Sequence, residues 1–263
     1  MIVGEIKWLF IRPTMKRRLV GSVVSIFTAL APIHGLAASD GRMVMEFAFE
    51  LAEARLDLAE HMLRSSADFL VSVGDIDPQL GHVGLQKIFN DNRDFRAILA
   101  LDENGRLMFD SFNPVPFRGG ADLSQRQYFR DTTHREAMQL FVFPSVVGKQ
   151  SGQRLIPVTM AVPGLGRGNQ RVVMISVPPE AMLPKSQLCP VCGVVITSDG
   201  QVVASSHPMS EVNEIALSRL TFSGEYGASQ IEVRDMPVLV HWRKSTRAKL
   251  VYIYYEAVTS ETE

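Results

Sequence analysis

Two short stretches of this 263-residue chain constrain its fold more than any others. Residues 97–112 read AILALDENGRLMFDSF, and residues 193–208 read GVVITSDGQVVASSHP. Each is an apolar run, a tight turn ending in Asn-Gly or Asp-Gly, and a second apolar run. Those dipeptides favour hairpin turns, because the turn needs positive φ and glycine adopts it freely. Two hairpins, one in each half of the body, predict two related antiparallel units in tandem. After the first hairpin come a helical insert and β-rich runs at 140–147, 154–162 and 171–177. After the second come a helical piece near 212–220 and runs near 229–233, 238–243 and 250–255. That order predicts an α+β class, with two antiparallel sheets carrying helices on one face.

A long helix precedes both units. Ser39 and Asp40 can cap it, and residues 42–73 contain no proline and no glycine. Phe47, Leu51, Ala54, Leu58 and Met62 recur at steps of three and four, which predicts one apolar stripe. The stripe is expected to pack on its own domain, on a second copy, or on both. Glu46, Glu50 and Glu53 read as a solvated face. Gly74 ends the helix, and a second short one is expected over roughly 79–91.

The first 38 residues carry a localisation signal. Lys16, Arg17 and Arg18 precede an uncharged, mostly apolar run at 19–38. Basic residues before such a run stay on the cytoplasmic side, so the body from about Ser39 is expected outside the cytoplasm. The run is just long enough to cross a bilayer. Gly35-Leu36-Ala37 also suits a signal-peptidase site, and Met15 is an alternative start. Anchor and cleaved signal both remain open. The last apolar run, 250–255, is too short to span, so no cytoplasmic output module is expected after the body.

Composition excludes some partners. Net charge is −1, with 21% charged residues, so no overall field favours nucleic acid. The only cysteines are Cys189 and Cys192, spaced CPVC. A local disulfide, a redox pair and half a zinc site are the three readings, the disulfide leading in an oxidising compartment. No GxSxG, HExxH or P-loop is present, so neither an enzyme nor a cofactor or metal site is expected.

Residues 122–129 read DLSQRQYF. Asp122-Leu123-Ser124-x-Arg126-x-Tyr128-Phe129 resembles the signature of double Cache sensor domains, the PAS-like extracytoplasmic sensors. The hairpin before it and the run SGQRLIPVT at 151–159 agree with that family. The resemblance spans roughly residues 40–255. It implies a long N-terminal helix beside two PAS-like units: 1–38 as anchor or signal, 39–92 helical, 93–182 membrane-distal and 183–263 membrane-proximal. It implies binding of a small carboxylate or amino acid in the distal unit. The output would come from a separate signalling partner, and a homodimer is compatible.

Chemistry then nominates the site. A carboxylate suits arginine, whose planar fork holds both oxygens. Arg126 and Arg154 are the candidates, and Tyr128 can close over a ligand and donate its hydroxyl. Phe129 would wall the pocket or serve as core. Ser145 and Thr159 offer further polar contacts, and Asp110 would suit an amine.

Overall fold

The computed structural model describes residues 41–258, apart from 75, 91, 114–120, 165–169, 186–191, 208–219 and 234–235. Helix α1 runs Gly41–Val73 and α2 runs Pro78–Phe89. Gly74, at φ +63°, ends α1 in the left-handed conformation that only glycine adopts without strain. The Asp77 side chain accepts from the Gln79 N–H at 2.9 Å and so starts α2, with Pro78 just inside.

The first sheet contains β1 (Ala97–Leu101), β2 (Leu107–Asp110), β3 (Leu140–Val142), β4 (Val146–Val147), β5 (Arg154–Ala161) and β6 (Val172–Val177). Its order is β2-β1-β6-β5-β3, with β4 also on β5, and every pairing is antiparallel. The second contains β7 (Cys192–Ser198), β8 (Gln201–Ser205), β9 (Tyr226–Val233), β10 (Met236–Ser245) and β11 (Leu250–Ala257). Its order is β8-β7-β11-β10-β9. Both sheets therefore follow one plan: the hairpin's first strand pairs with the unit's last strand. A helix, α3 (Gln127–Thr133), is inserted in the first unit.

The two hairpin turns differ in build. Asp199 and Gly200 both have positive φ, as a two-residue turn requires. In the first hairpin only Gly105 does, at +79°, and Asp102 braces a longer loop by accepting from the Asn104 and Arg106 N–H groups. The expected strand over 140–147 divides into β3 and β4, with Pro144, which has no N–H to donate, between them. The helical piece expected near 212–220 lies almost wholly outside the described residues.

Strand alternation gives each sheet two faces. Ile98, Ala100, Val158 and Ile175 of the first sheet share a core with Ile196, Tyr252 and Tyr254 of the second. The same core takes in α1, which contacts β5 and β6 as well as β10 and β11. The opposite faces form separate clusters. One joins Leu101, Val172 and Met174 to Tyr128 and Phe129. The other joins Val195, Val240, Ile253 and Trp242.

Two expectations about α1 need correction. Of the five stripe residues only Met62 is in the core; Phe47 is 59% exposed, Ala54 is exposed, and Leu51 and Leu58 are half-buried. The buried face is Met45, Ala48, Ala52, Leu56, Ala59, Leu63, Ala67 and Leu70. Alanines recur along it and let the helix backbone approach the sheets closely. The acidic residues are also not simply solvated. Glu46 pairs with Arg243, Glu53 accepts the Tyr252 hydroxyl at 2.9 Å, and Asp57 pairs with Arg247. These partly exposed contacts tie α1 to the second sheet and contribute about 0–1 kcal/mol each. Among the described residues no helix is long and apolar enough to cross a membrane.

Candidate functional site

The segment leading into α3 is shaped before any ligand is considered. The Leu123 N–H donates to the Gly105 carbonyl at 2.8 Å, which docks this turn on the first hairpin. A Cβ on Gly105 would lie 2.7 Å from the Ser124 backbone, so glycine is required for close approach as well as for φ. Asp122 accepts from Ser124, and those hydrogen bonds hold its carboxyl below the usual range. Asp122 and Ser124 thus build the turn, and α3 begins directly after Arg126.

Helix α3 lies on the outer face of the first sheet. Tyr128 is 4% exposed and meets Phe143 edge-on, ring centres 6.4 Å apart. Among the described residues its hydroxyl has no hydrogen-bond partner. Burial pushes that hydroxyl from 10.0 up to about 12, and the nearby Arg126 charge only partly offsets this. Tyr128 is therefore a neutral donor at ordinary pH. Phe129 is buried in the same cluster and serves as core. The Thr132 hydroxyl gives its one proton to the Tyr128 carbonyl at 2.6 Å, so Thr159 donates to Thr132 across 2.7 Å. That fully buried pair pins α3 to β5.

The arginines flank the segment 143–147. Arg126 donates to the Val147 carbonyl at 3.1 Å, and Arg154 donates to the Ser145 hydroxyl at 3.3 Å. Val147 and Arg154 are themselves paired between β4 and β5. Neither arginine makes an ion pair among the described residues. The Lys149 ammonium sits close by, donating to the Asp122 carbonyl at 2.6 Å.

The structure thus brings Arg126, Tyr128 and Ser145 to one end of the first unit, with Thr159 beneath α3; Arg154 reaches Ser145 from the strand edge, in step along β5 with Ile156 and Val158 of the α1 core. Asp110 stands apart. Pairing places it in one row with Leu99, Met174 and Thr159, three strands from Thr159, or about 14 Å at ordinary strand spacing. Its carboxylate accepts from the Phe112 N–H, the Asn113 N–H and the Asn113 side-chain amide, so it closes the turn after β2.

Sequence reasoning did not anticipate two clefts on the α1 side. One, of about 450 Å³, lies between Arg42, Glu46 and Glu53 on α1 and Tyr226, Arg243 and Arg247. The other, of about 310 Å³, lies between Glu60, Arg64, Glu136 and Arg247. Neither touches Arg126 or Tyr128. Their walls are largely ion-paired side chains, which leaves few free groups to hold a ligand. The α3 face has the free donors. Cys192 is disulfide-bonded, and the chain's other cysteine, Cys189, lies outside the described residues.

Solved structures with the same architecture decide the fold. The extracellular domain of rpHK1S-Z16, described as a histidine kinase, superposes with a TM-score of 0.68 at 17% identity, covering 82% of this chain and 94% of that one. The ligand-binding domain of the Pseudomonas aeruginosa amino-acid chemoreceptor PctC, in complex with GABA, gives 0.60 at 15%, covering 83% and 97%. The Vibrio cholerae histidine kinase DctB sensor domain gives 0.55 at 14%, covering 83% and 96%. The chain has the double Cache fold. These structural neighbours are sensor domains rather than enzymes. No family model matches the sequence, and no curated protein matches it.

Proposed function

We propose that this double Cache chain is an extracytoplasmic sensory domain that binds a small carboxylate-bearing metabolite on the α3 face of its first unit. One observation carries the reading. A buried tyrosine with a partnerless hydroxyl sits beside an arginine that makes no ion pair. A carboxylate satisfies both at once, through the guanidinium fork and the phenol donor. Arg126 and Tyr128 are the main anchors, with Arg154 and Ser145 completing the rim and Thr159 holding the floor. Binding, not catalysis, is the activity. In the neighbours the bound molecules include GABA and, in the Pseudomonas fluorescens receptor CtaA, L-leucine. In this reading residues 1–38 hold or deliver the body outside the cytoplasm, residues 93–182 form the membrane-distal unit and 183–263 the proximal one. A separate membrane kinase or receptor supplies the output.

A metabolite-library thermal shift on the full chain tests this, since a ligand of the folded state raises its melting temperature. The shift should vanish in Arg126→Ala. A shift kept at full strength places the site elsewhere.

A second reading rests on α1. Met43 is 69% exposed and Phe47 59%, and with exposed Ala54 and half-buried Leu51 they form an apolar flank that the body covers only in part. A second copy, or a membrane signalling protein, would dock there and use the fold without a ligand. Crosslinking from Phe47 that yields a stable assembly in the absence of any ligand favours it.

A further inference from the structure

We propose that the α3 face selects against an ammonium group, so that its ligands are acids without an amine. The proposal rests on the site reading above and narrows it. A buried ammonium needs a carboxylate to offset its lost hydration. This site has none to offer. Residues 137–179 contain no Asp or Glu at all, so β3, β4, β5 and β6 bring no carboxylate to either face of the sheet. Strand β1 brings none either.

The acids of the other elements are engaged elsewhere: Asp94 pairs with Arg55 and Glu103 with Arg171, Asp102 accepts from the Asn104 and Arg106 N–H groups in the first hairpin turn, and Glu180 stands after β6. Asp110 is committed to the turn at 110–113 by three donors and lies at the far strand. Asp122 is exposed and braces its own turn, beside Lys149 and Arg106. Asp131 receives Gln127 at 3.4 Å, away from the residues of α3 that face the sheet. Glu136 lines the cleft with Glu60 and Arg64 on the α1 side. Residues 114–120 lie outside the described residues and contain no Asp or Glu.

Cations dominate the same region. Among the described residues of 111–179 six basic side chains stand against three acidic ones, although the whole chain is at −1. Arg126 and Arg154 both flank β4 without an ion pair. An acid gains from that field with its whole charge. The matching amino acid brings a positive group into it and has no counter-charge to meet.

Isothermal titration of the full chain with matched pairs tests the proposal: butanedioate against aspartate, pentanoate against norvaline, and 4-methylpentanoate against leucine. At least one acid should bind, at least about ten-fold tighter than its 2-amino partner, and Arg126→Ala should remove that binding. If an amino acid binds as tightly as its acid and Arg126→Ala abolishes it, the amine exclusion is wrong while the site stands. Acid binding that survives Arg126→Ala at full affinity overturns both. Binding by none of the acids overturns the proposal as well.

Discussion

Replacing Tyr128 by phenylalanine should stabilise the unliganded protein and weaken its ligand. The ring is 4% exposed, and its hydroxyl finds no partner among the described residues. A fully buried hydroxyl without a partner would cost about 1–3 kcal/mol, but the Tyr128 hydroxyl keeps some contact with solvent. Some of that is already relieved wherever water reaches the group, so Tyr128→Phe should gain about 0.5–1 kcal/mol in a urea melt. The ligand should respond in the opposite sense. A hydrogen bond to a charged oxygen contributes about 1.5–3 kcal/mol, so affinity should fall about ten- to a hundred-fold by calorimetry. The pH profile gives an independent check. The hydroxyl titrates near 10.0 when unfolded and at about 12 when folded. Between those values the unfolded chain has lost a proton that the folded one keeps, so this contribution to stability is complete below pH 10 and is lost as pH rises through about 12. Tyr128→Phe should lose less stability across that window than the parent. A variant destabilised by more than about 1 kcal/mol would mean the hydroxyl has a structural partner, and an unchanged affinity would mean it does not touch the ligand.

Other outcomes test the packing. Leu56→Ala, at a fully buried position, should cost about 2–5 kcal/mol, while Phe47→Ala on the exposed flank of the same helix should stay within about 0.5 kcal/mol in denaturant melts. Gly227→Ala would place a Cβ 2.1 Å from the Trp242 ring and should cost about 1–3 kcal/mol. In a Trp8→Phe background, where Trp242 is the remaining tryptophan, its emission should shift to the red. Arg247→Gln removes the pairs to Asp57 and Glu60 and should cost no more than about 1 kcal/mol, an effect that shrinks as salt is added.

Local chemistry was readable in the sequence where a residue type has one main use. The Asn-Gly and Asp-Gly turns located both hairpins, and Gly74 located the end of α1. Nothing local could orient that helix. Phe47, Leu51 and Leu58 are larger and more apolar than Ala48, Ala52 and Ala59, yet the alanines face inward because two sheets press on them. The acidic residues were misjudged for a related reason. Glu46 and Glu53 look solvated until Arg243 and Tyr252, nearly two hundred positions later, arrive beside them. The nomination of Arg126, Tyr128, Ser145 and Arg154 came from residue chemistry and motif together, and their part in binding is a proposal. Asp110 was misread because an aspartate at a strand end serves a turn as readily as a ligand, and only its three donors distinguish the two.

Helix α1, 33 residues and so about 50 Å long, packs on both sheets, and among the described residues the short 3-10 turn at Pro179–Met182 also touches strands of each. Neither half of the chain should fold by itself as a native piece. Cutting near residue 183 would leave the second sheet with Tyr252 and Tyr254 facing water where the helix had been, and the first with half a helix covering nothing. A calorimetric scan of the intact chain should therefore show one melting peak for two sheets, and a protease that opens α1 at its middle should dismantle both together.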